Sequence, residues 1–373
     1  MARFPVIPEI TQGLGVESTR KLINFSKFDW DSFETSWNFT ELPILKTEKY
    51  PIATSFERNY LALRADWQRM TDETKHLEEE NNHIFIEAYG LQDELTPEVP
   101  LEEITLTCNP YYRYKGNYTV EEREARLLED TIKEFLSYAV GCMFGRYSLD
   151  KPGLILANQG ETLKDYLRII SKEPLFTPTD TNVLPILDGD WFADDIVARF
   201  KQFLKVTFGE PNYEENLRFI EEALGKDLRR YFLKDFYKDH VQMYKKRPIY
   251  WLFSSPKGSF NALIYMHRYT QDTVSVVLNQ YLREFKEKLG AHRKRLEAVV
   301  ADSSTTSREK AQTLKERESV SLVLQELKDY EEHILFPLAA QRININLDDG
   351  VKVNYPKFGD ALAKIPGLSE KGI

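Results

Sequence analysis

Lysines and arginines interleaved with aromatic residues form two patches that could contact a nucleic acid. The first covers 111–115, Tyr-Tyr-Arg-Tyr-Lys, and the second covers 229–251 and includes Lys234 and Lys238. Cationic side chains neutralise phosphates, and aromatic rings stack on exposed bases or on ribose. The candidates for DNA contact are Tyr112, Arg113, Lys115, Arg229, Arg230, Lys245, Lys246, Arg247 and Lys257.

Lys257 differs from the other candidates because it lies in a Gly/Ser loop, Ser-Ser-Pro-Lys-Gly-Ser at 254–259. Its ammonium group and nearby backbone N–H groups could reach a phosphate. The alternative for all the candidates is a solvated surface with buried tyrosines. The formal net charge of −9 argues mildly against DNA binding, so any contact must come from local patches.

A second candidate for chemistry is the run Asn-Pro-Tyr-Tyr at 109–112, which superficially resembles the N-P-P-Y loop of amino-methyltransferases. In that loop the Asn and a backbone carbonyl hold the amino group of the target adenine, while an aromatic ring stacks on the flipped base. Here the third position is Tyr, and the F-x-G-x-G methyl-donor loop is absent. We therefore expect Asn109 to end a strand in a turn, and we expect neither a catalytic residue nor a cofactor site in this chain.

The composition indicates a folded protein of two or three domains, since 373 residues with 42% hydrophobic and 13% aromatic content can bury proper cores. The apolar runs are too short to span a bilayer, and the N-terminus lacks a secretion signal. Two cysteines, Cys108 and Cys142, fit a reducing compartment. We expect a cytoplasmic protein without membrane contact. The histidines and the acidic cluster 188–195 have the spacing of neither a zinc nor a calcium site, so no metal is predicted.

The first elements along the chain are irregular structure over 1–55, with short strands, and a long helix over 56–91. Apolar and small residues recur at spacings of three and four, and Gly90 suits a left-handed helix cap. The helix is either a spacer that sets the distance between two domains or a helix packed on its own domain. The residues of its seam are Tyr60, Leu63, Trp67, Met70, Thr74, Leu77, Asn81 and Ile84.

Residues 92–270 are predicted to form a mixed recognition domain of helices and strands. Thr119 and Glu122 form a capping box for one helix, and Asp188 or Asp190 can begin a later one. Strands are predicted where apolar residues alternate or run together, at 104–108, 249–253 and 262–266.

Residues 271–340 are predicted to form an antiparallel coiled-coil hairpin, because each half carries an apolar heptad period. The Ser/Thr tract 303–307 would be the turn, and Thr306 with Glu309 would cap the returning helix. An ordered but irregular tail follows at 341–373. Together these elements predict an α+β fold that is predominantly α-helical.

Several long runs resemble adenine-specific methyltransferases of BREX phage-defence systems, the PglX family, and more distantly type IIG restriction–modification enzymes. The resemblance covers most of the chain and is strongest over 81–355. The runs are ETSWNF (34–39), NNHIFIEAYGL (81–91), LTCNPYYRY (106–114), GCMFGRYSLD (141–150), DGDWFADDIV (188–197), KKRPIYWLFSSPKGSFNAL (245–263) and DDGVKVNY (348–355).

The resemblance implies a complete enzyme that methylates adenine N6 in a short DNA site with S-adenosylmethionine. In that family the methyl-donor and N-P-P-Y motifs precede the region that this chain resembles, so no catalytic residue is carried over. The region would instead supply target recognition, a grip on double-stranded DNA, and docking to a methyltransferase catalytic half or to other defence proteins. The chain alone is therefore expected to be inactive.

Two hypotheses follow from the sequence. In the first, the chain is the DNA-recognition C-terminal part of such a methyltransferase. In the second, it is a protein-interaction scaffold of the same defence complex, which binds partners through the 271–340 hairpin and touches DNA little.

Overall fold

The structure is a computed structural model that describes residues 15–45, 55–170 and 173–368. Helices predominate, and the strands of the described residues form one small antiparallel sheet. The predicted α+β, predominantly helical fold class is confirmed at this level. None of the helices in these ranges combines the length and the apolar character that crossing a lipid bilayer requires.

Within the described residues, six helices are continuous and longer than one turn. They are α1 (Val16–Asp31), α2 (Phe56–Tyr89), α3 (Val120–Phe144), α4 (Leu163–Ile170), α5 (Ile196–Phe208) and α6 (Tyr213–Leu224). Single helical turns lie at Pro110–Arg113 and Val351–Asn354. Short 3-10 segments lie at Pro43–Leu45, Leu101–Glu103, Glu210–Asn212, Met266–Arg268, Leu347–Asp349 and Tyr355–Ala361.

Three further helices of the described part of the chain each contain a π-helical segment, and we number each as one element. Helix α7 comprises Leu228–Tyr231, the π segment Phe232–Phe236 and Tyr237–Met243. Helix α8 comprises Thr273–Val276, the π segment Val277–Leu282 and Arg283–Ala301. Helix α9 comprises Ser307–Tyr330, the π segment Glu331–Leu335 and Phe336–Gln341.

The chain divides into two compact units, and each is described by itself. Unit 1 consists of 1–138 and 207–224, and unit 2 consists of 139–206 and 225–373. In unit 1 the seam of α2 is buried from Tyr60 to Leu77. This is the arrangement expected of a helix packed on its own domain, and a spacer role for α2 stays a prediction.

Both ends of α2 follow from local sequence. The side chain of Ser55 accepts a hydrogen bond from the backbone N–H of Arg58 and caps the first turn. Gly90 has the left-handed conformation, with φ of 67°, that ends the helix as predicted. The backbone N–H of Phe56 donates to Asn216 Oδ1 at 2.7 Å, which fixes the start of α2 to α6.

Two predictions for unit 1 are wrong. Residues 16–31 form helix α1, where irregular structure with short strands was expected. The sequence shows no clear apolar period for α1, because the apolar residues Ile23 and Trp30 lie on its exposed side, with 60% and 65% of their surface exposed. The expected strand at 104–108 is instead a chain of turns that continues from the 3-10 segment Leu101–Glu103.

Unit 2 is built around a sheet in the order β1-β3-β2, with β1 at Val183–Pro185, β2 at Tyr250–Ser254 and β3 at Asn261–Tyr265. The strands β2 and β3 lie where the apolar runs predicted them. Both neighbours of β3 are antiparallel to it, and Leu263 pairs with Leu184 and with Leu252. All residues of β3 are buried, so the sheet forms the centre of the unit 2 core.

Helices α8 and α9 pack against each other and return the chain through the turn at 302–306. The predicted capping box of Thr306 and Glu309 is present in both directions. Leu289 and Leu327 are buried in the same core as the sheet, which anchors the base of the hairpin. Packing of the coiled-coil type along its length stays a prediction.

Candidate nucleic-acid interface

Helix α7 carries most of the candidate DNA contacts. The side chain of Asp227 accepts a hydrogen bond from the backbone N–H of Arg230 at 2.9 Å and begins the helix. One face is buried through Tyr231, Phe232, Phe236 and His240. The cations lie on the other face, because burying the aromatic side leaves the polar side in solvent.

The exposed face of α7 and the turn that follows it form what we call the basic row. Its members on the helix recur every four residues and therefore lie on one side of α7. Two of them, Lys234 and Lys238, belong to the predicted patch but not to the list of expected DNA contacts. Their spacing of four residues from Arg230 is the sequence feature that could have added them to that list. The basic row comprises Arg230, Lys234, Lys238, Lys245, Lys246 and Arg247, all exposed.

The turn after α7 holds two lysines in a backbone conformation that lysine rarely adopts. Lys245 and Lys246 have φ of 50° and 63°. Each left-handed position costs a residue with a Cβ roughly 1–2 kcal/mol. The turn is nevertheless fixed, since the backbone N–H of Lys246 donates to Val241 O at 2.8 Å and that of Arg247 donates to Tyr244 O at 2.9 Å.

His240 ties this turn to the sheet. Its Nε2 accepts a hydrogen bond from the backbone N–H of Tyr250 at 3.1 Å, and the two rings stack with centroids 4.6 Å apart. Burial, together with the positive charge of Arg146, lowers the pKa of His240 to about 3, so the ring is neutral at pH 7. The end of α7, which leads into the turn of the basic row, is therefore attached to strand β2.

The carboxylates of the same segment have other partners. Asp235 forms an ion pair with Lys226 at 2.8 Å, and Asp239 accepts a hydrogen bond from the Tyr231 hydroxyl at 3.0 Å. Within the described ranges, no member of the basic row forms an ion pair with an acidic side chain. The six cations of α7 and its turn thus face solvent without an acidic partner among the described residues.

Arg229 was expected to contact DNA, but the structure gives it a different role. Its guanidinium group forms ion pairs with Asp190 and with Asp195, the latter at 2.8 Å, and donates to Leu187 O. Asp195 also accepts from the backbone N–H of Ala198 at 2.7 Å and so caps α5, where Asp188 or Asp190 was expected to do so. Two carboxylates compensate the charge of Arg229, so it is not available to a phosphate.

The first patch is also largely committed to internal contacts. Arg113 pairs with Glu134 at 2.9 Å and with Asp130 at 3.1 Å. Burial raises the pKa of Glu134, although Arg113 opposes that effect. Lys115 is exposed, with its ammonium group 5.5 Å from the centre of the Tyr112 ring. Of this patch, Lys115 alone presents an exposed cation.

The loop of Lys257 already holds an anionic group. Glu326 of α9 accepts hydrogen bonds from Ser255 Oγ at 2.6 Å, from the backbone N–H of Lys257 at 2.8 Å and from Ser259 Oγ at 2.5 Å. The backbone N–H of Lys257 is therefore already paired with Glu326, and a phosphate contact of the Lys257 ammonium group stays a prediction. Its ammonium group remains exposed.

Asn109 has the structural role that its sequence context indicates, although in a turn after a 3-10 segment and not after a strand. Its side-chain amide donates to Leu101 O at 2.7 Å and to Ile104 O at 3.0 Å. Its Oδ1 accepts from the backbone N–H of Tyr111 at 3.1 Å, and the residue is fully buried. No part of this amide faces solvent where it could hold a base.

Charge is distributed unequally between the two units. Unit 1 contains 16 lysines and arginines against 31 aspartates and glutamates, whereas unit 2 contains 34 against 28. The net charges are therefore −15 and +6, which add up to the −9 of the chain. The acidic balance that argued against DNA binding belongs to unit 1, and the basic row belongs to unit 2.

Comparison with known proteins identifies a class. No protein-family profile matches the chain. Nearly the whole chain is, however, similar to part of each of two adenine-specific methyltransferases. The resemblance to BREX-type adenine-specific methyltransferases that the sequence indicates is thereby confirmed.

The two relatives come from different organisms. Adenine-specific methyltransferase BrxX of Escherichia coli O9:H4 (strain HS) is 37% identical over 365 residues, which cover 94% of this chain and 29% of that protein. Adenine-specific methyltransferase PglX of Lacticaseibacillus casei (strain Zhang) is 38% identical over 361 residues, which cover 92% of this chain and 27% of that protein. The chain thus spans less than a third of each relative.

Proposed function

We propose that this chain is the DNA-recognition part of a site-specific adenine-N6 methyltransferase of a BREX-type phage-defence system. The observation that carries the proposal is the basic row, six exposed cations on α7 and its turn within the positively charged unit 2. Such a row neutralises successive phosphates of a duplex and positions the protein on it.

In this proposal methyl transfer takes place elsewhere in the complete enzyme, in a part that binds S-adenosylmethionine. The internal hydrogen bonds of Asn109 support this division of labour, because the amide of the N-P-Y-Y run is already occupied. Calorimetry with S-adenosylmethionine should give no binding to the isolated chain, and micromolar affinity would contradict the proposed division.

The test of DNA contact is a salt titration of binding to a fluorescent duplex. Each phosphate that a cation neutralises contributes about 0.9 to the slope of log affinity against log salt. We expect the triple variant Lys245→Ala, Lys246→Ala, Arg247→Ala to reduce that slope by about 3 and to weaken binding at every salt concentration.

A matched control removes three exposed cations from the hairpin, with Lys294→Ala, Arg295→Ala and Lys315→Ala. This variant loses the same charge, so equal weakening by both triples would mean that binding depends on net charge and not on the basic row. Wild-type binding that is absent or independent of salt would contradict DNA contact altogether.

The second candidate function is the interaction scaffold. It is favoured by apolar side chains that α8 and α9 leave in solvent, Val299, Leu314 and Leu322, of which Leu322 is 61% exposed. A scaffold predicts partner binding that salt does not weaken and that is lost when Val299, Leu314 and Leu322 are replaced by serine, with duplex affinity unchanged by the basic-row variant.

A further inference from the structure

An open pocket lies between α1 and α2 in unit 1. Its volume is about 520 Å³, which is within the range of small-ligand and side-chain binding sites. The floor is the buried seam of α2. The apolar side chains that line it are Phe25, Phe28, Pro43, Leu63, Trp67 and Met70, and the polar ones are Asn24, Asp66, Arg69 and Glu73.

The pocket stays open because α1 is fixed at both of its ends. Near the start of α1, the Ser18 hydroxyl donates to the Glu80 carboxylate at 3.3 Å. Near its end, the Asp29 carboxylate accepts the backbone N–H groups of Thr107 at 2.7 Å and of Cys108 at 2.9 Å. The middle of α1 therefore cannot close onto α2 without breaking one of these attachments.

Helix α1 exposes several large apolar side chains, and one of them lines the pocket. Phe28 lines the pocket and is 43% exposed, and α1 also exposes Ile23 and Trp30. Aromatic side chains that combine exposure with an adjoining pocket are typical of protein-binding sites, where one anchor fills the pocket and its neighbours exclude water.

Charge decides which kind of partner fits. With 31 acidic and 16 basic residues, unit 1 repels nucleic acid and attracts cationic surfaces. The pocket itself contains Asp66 and Glu73, whose partners Arg69 and Lys21 are largely exposed. The Lys21–Glu73 pair is about half exposed on both sides, and exposed ion pairs contribute little, so an incoming cation can replace Lys21 at small cost.

We propose that the α1–α2 pocket docks a protein segment that carries an aromatic or long aliphatic anchor flanked by lysine or arginine. The anchor occupies the space above Trp67 and Met70, and a flanking cation pairs with Glu73. This surface is separate from the basic row, and the proposal does not depend on DNA binding.

The test uses the purified chain labelled with 5-fluorotryptophan and observed by fluorine NMR. The Trp67 resonance is assigned by its loss in Trp67→Phe, and Trp191 and Trp251 of unit 2 serve as internal references. The probe is the peptide acetyl-Lys-Phe-Leu-Lys-amide. Two matched peptides replace either both lysines by glutamate or the Phe-Leu anchor by Ser-Gly.

We expect a saturable shift of the Trp67 resonance with the probe and not with either matched peptide. Met70→Phe fills the pocket and should weaken binding of the probe peptide about tenfold, as loss of a buried anchor site does. Glu73→Lys should weaken it about threefold, whereas Glu87→Lys, the same charge change on an exposed residue of α2 outside the pocket, should not.

Several outcomes would overturn the proposal. One is the absence of a saturable Trp67 shift, and another is an equal shift by the Ser-Gly peptide. If Glu73→Lys and Glu87→Lys weaken peptide binding equally, the net charge of the protein and not the pocket determines the affinity. A shift that depends on protein concentration alone would show a second copy of the chain in the pocket instead. If Met70→Phe fails to fold, Phe28→Ser removes a wall of the pocket at a partly exposed site.

Discussion

At the residue scale, carboxylates decide which of the predicted cations remain available to DNA. Asp195 and Asp190 hold Arg229, Glu134 and Asp130 hold Arg113, and Glu326 takes the backbone N–H of Lys257. In each case the carboxylate lies 17 or more positions away along the sequence. A run of basic residues therefore indicates a charged surface only after such distant partners are known.

Glu326 is predicted to stabilise unit 2 by holding the 254–259 loop. Burial opposes its ionisation, but hydrogen bonds from Ser255, Ser259 and the loop backbone outweigh burial and lower the pKa of Glu326. Glu326→Gln should reduce the free energy of unfolding at pH 7 by about 1–3 kcal/mol, since donors are left poorly paired. Chemical denaturation monitored by tryptophan fluorescence measures the difference.

The pH dependence of this effect follows from the direction of the shift. A carboxylate whose pKa is lowered on folding stabilises the protein at neutral pH and loses that contribution as pH falls through its folded pKa. The difference in the free energy of unfolding between wild type and Glu326→Gln should therefore narrow as the pH falls below the ordinary pKa range of glutamate. Glu332→Gln, on the exposed side of α9, serves as control, and a gap that is constant with pH would contradict the role of the charge.

His240 is predicted to make the protein acid-sensitive. Its pKa falls from 6.5 to about 3 on folding, so the unfolded chain binds the proton first and stability declines as pH drops below about 6.5. His267, with a pKa lowered to about 4, acts in the same direction. Between pH 4 and 6, His240→Gln should reduce the pH slope of the unfolding free energy by about one proton, or 1.4 kcal/mol per pH unit.

The control for His240 is His83→Gln, at an exposed position of α2. It should leave the slope unchanged. Identical slopes for wild type and His240→Gln would mean that the His240 ring is hydrated and not buried against Tyr250.

At the element scale, the turn after α7 combines backbone strain with a concentration of positive charge. Lys245 and Lys246 occupy left-handed positions where glycine would be relaxed, yet both side chains face solvent. Unfavourable conformations of this kind persist where the surrounding structure fixes them, and they cluster at functional sites. The turn is thus the part of the basic row where stability and DNA contact are expected to oppose each other.

Lys246→Gly is predicted to stabilise the fold while it weakens DNA binding. Relief of the left-handed conformation should raise the free energy of unfolding by about 1 kcal/mol. Loss of one phosphate contact should lower the salt slope by about 0.9. Lys246→Ala removes the same charge without relieving the backbone, so it should match the loss in binding and show no gain in stability. Unchanged duplex affinity in both variants would exclude Lys246 from the interface.

The elements that the sequence predicts well are those with local causes. The capping boxes Thr119–Glu122 and Thr306–Glu309 and the Gly90 cap are set by residues a few positions apart, and all three are present. Strands β2 and β3 follow from uninterrupted apolar runs. The errors are α1, whose exposed aromatic residues hide its period, and the 104–108 segment, where turns produce an alternation that resembles a strand.

At the scale of the whole molecule, the net charge of the chain conceals two units whose net charges have opposite signs. Adding −15 and +6 gives the net charge of −9, which indicates an acidic protein and argues against DNA binding. The argument fails because electrostatic contact with DNA is local at physiological ionic strength, where the screening length is about 8 Å. The division of charge also assigns the two proposed surfaces to different partners, with DNA at unit 2 and a basic protein segment at unit 1.

The screening argument leads to a prediction about residues far from the basic row in sequence. Neutralising three exposed acidic residues of unit 1, with Glu87→Gln, Asp93→Asn and Glu94→Gln, should leave duplex affinity within about twofold at 150 mM salt and raise it at 20 mM, where screening weakens. Fluorescence anisotropy at both salt concentrations measures this. The basic-row triple variant should weaken binding under both conditions. A large gain from the acidic variant that persists at 150 mM would place these carboxylates within a few ångströms of the bound duplex and would assign part of the DNA interface to unit 1.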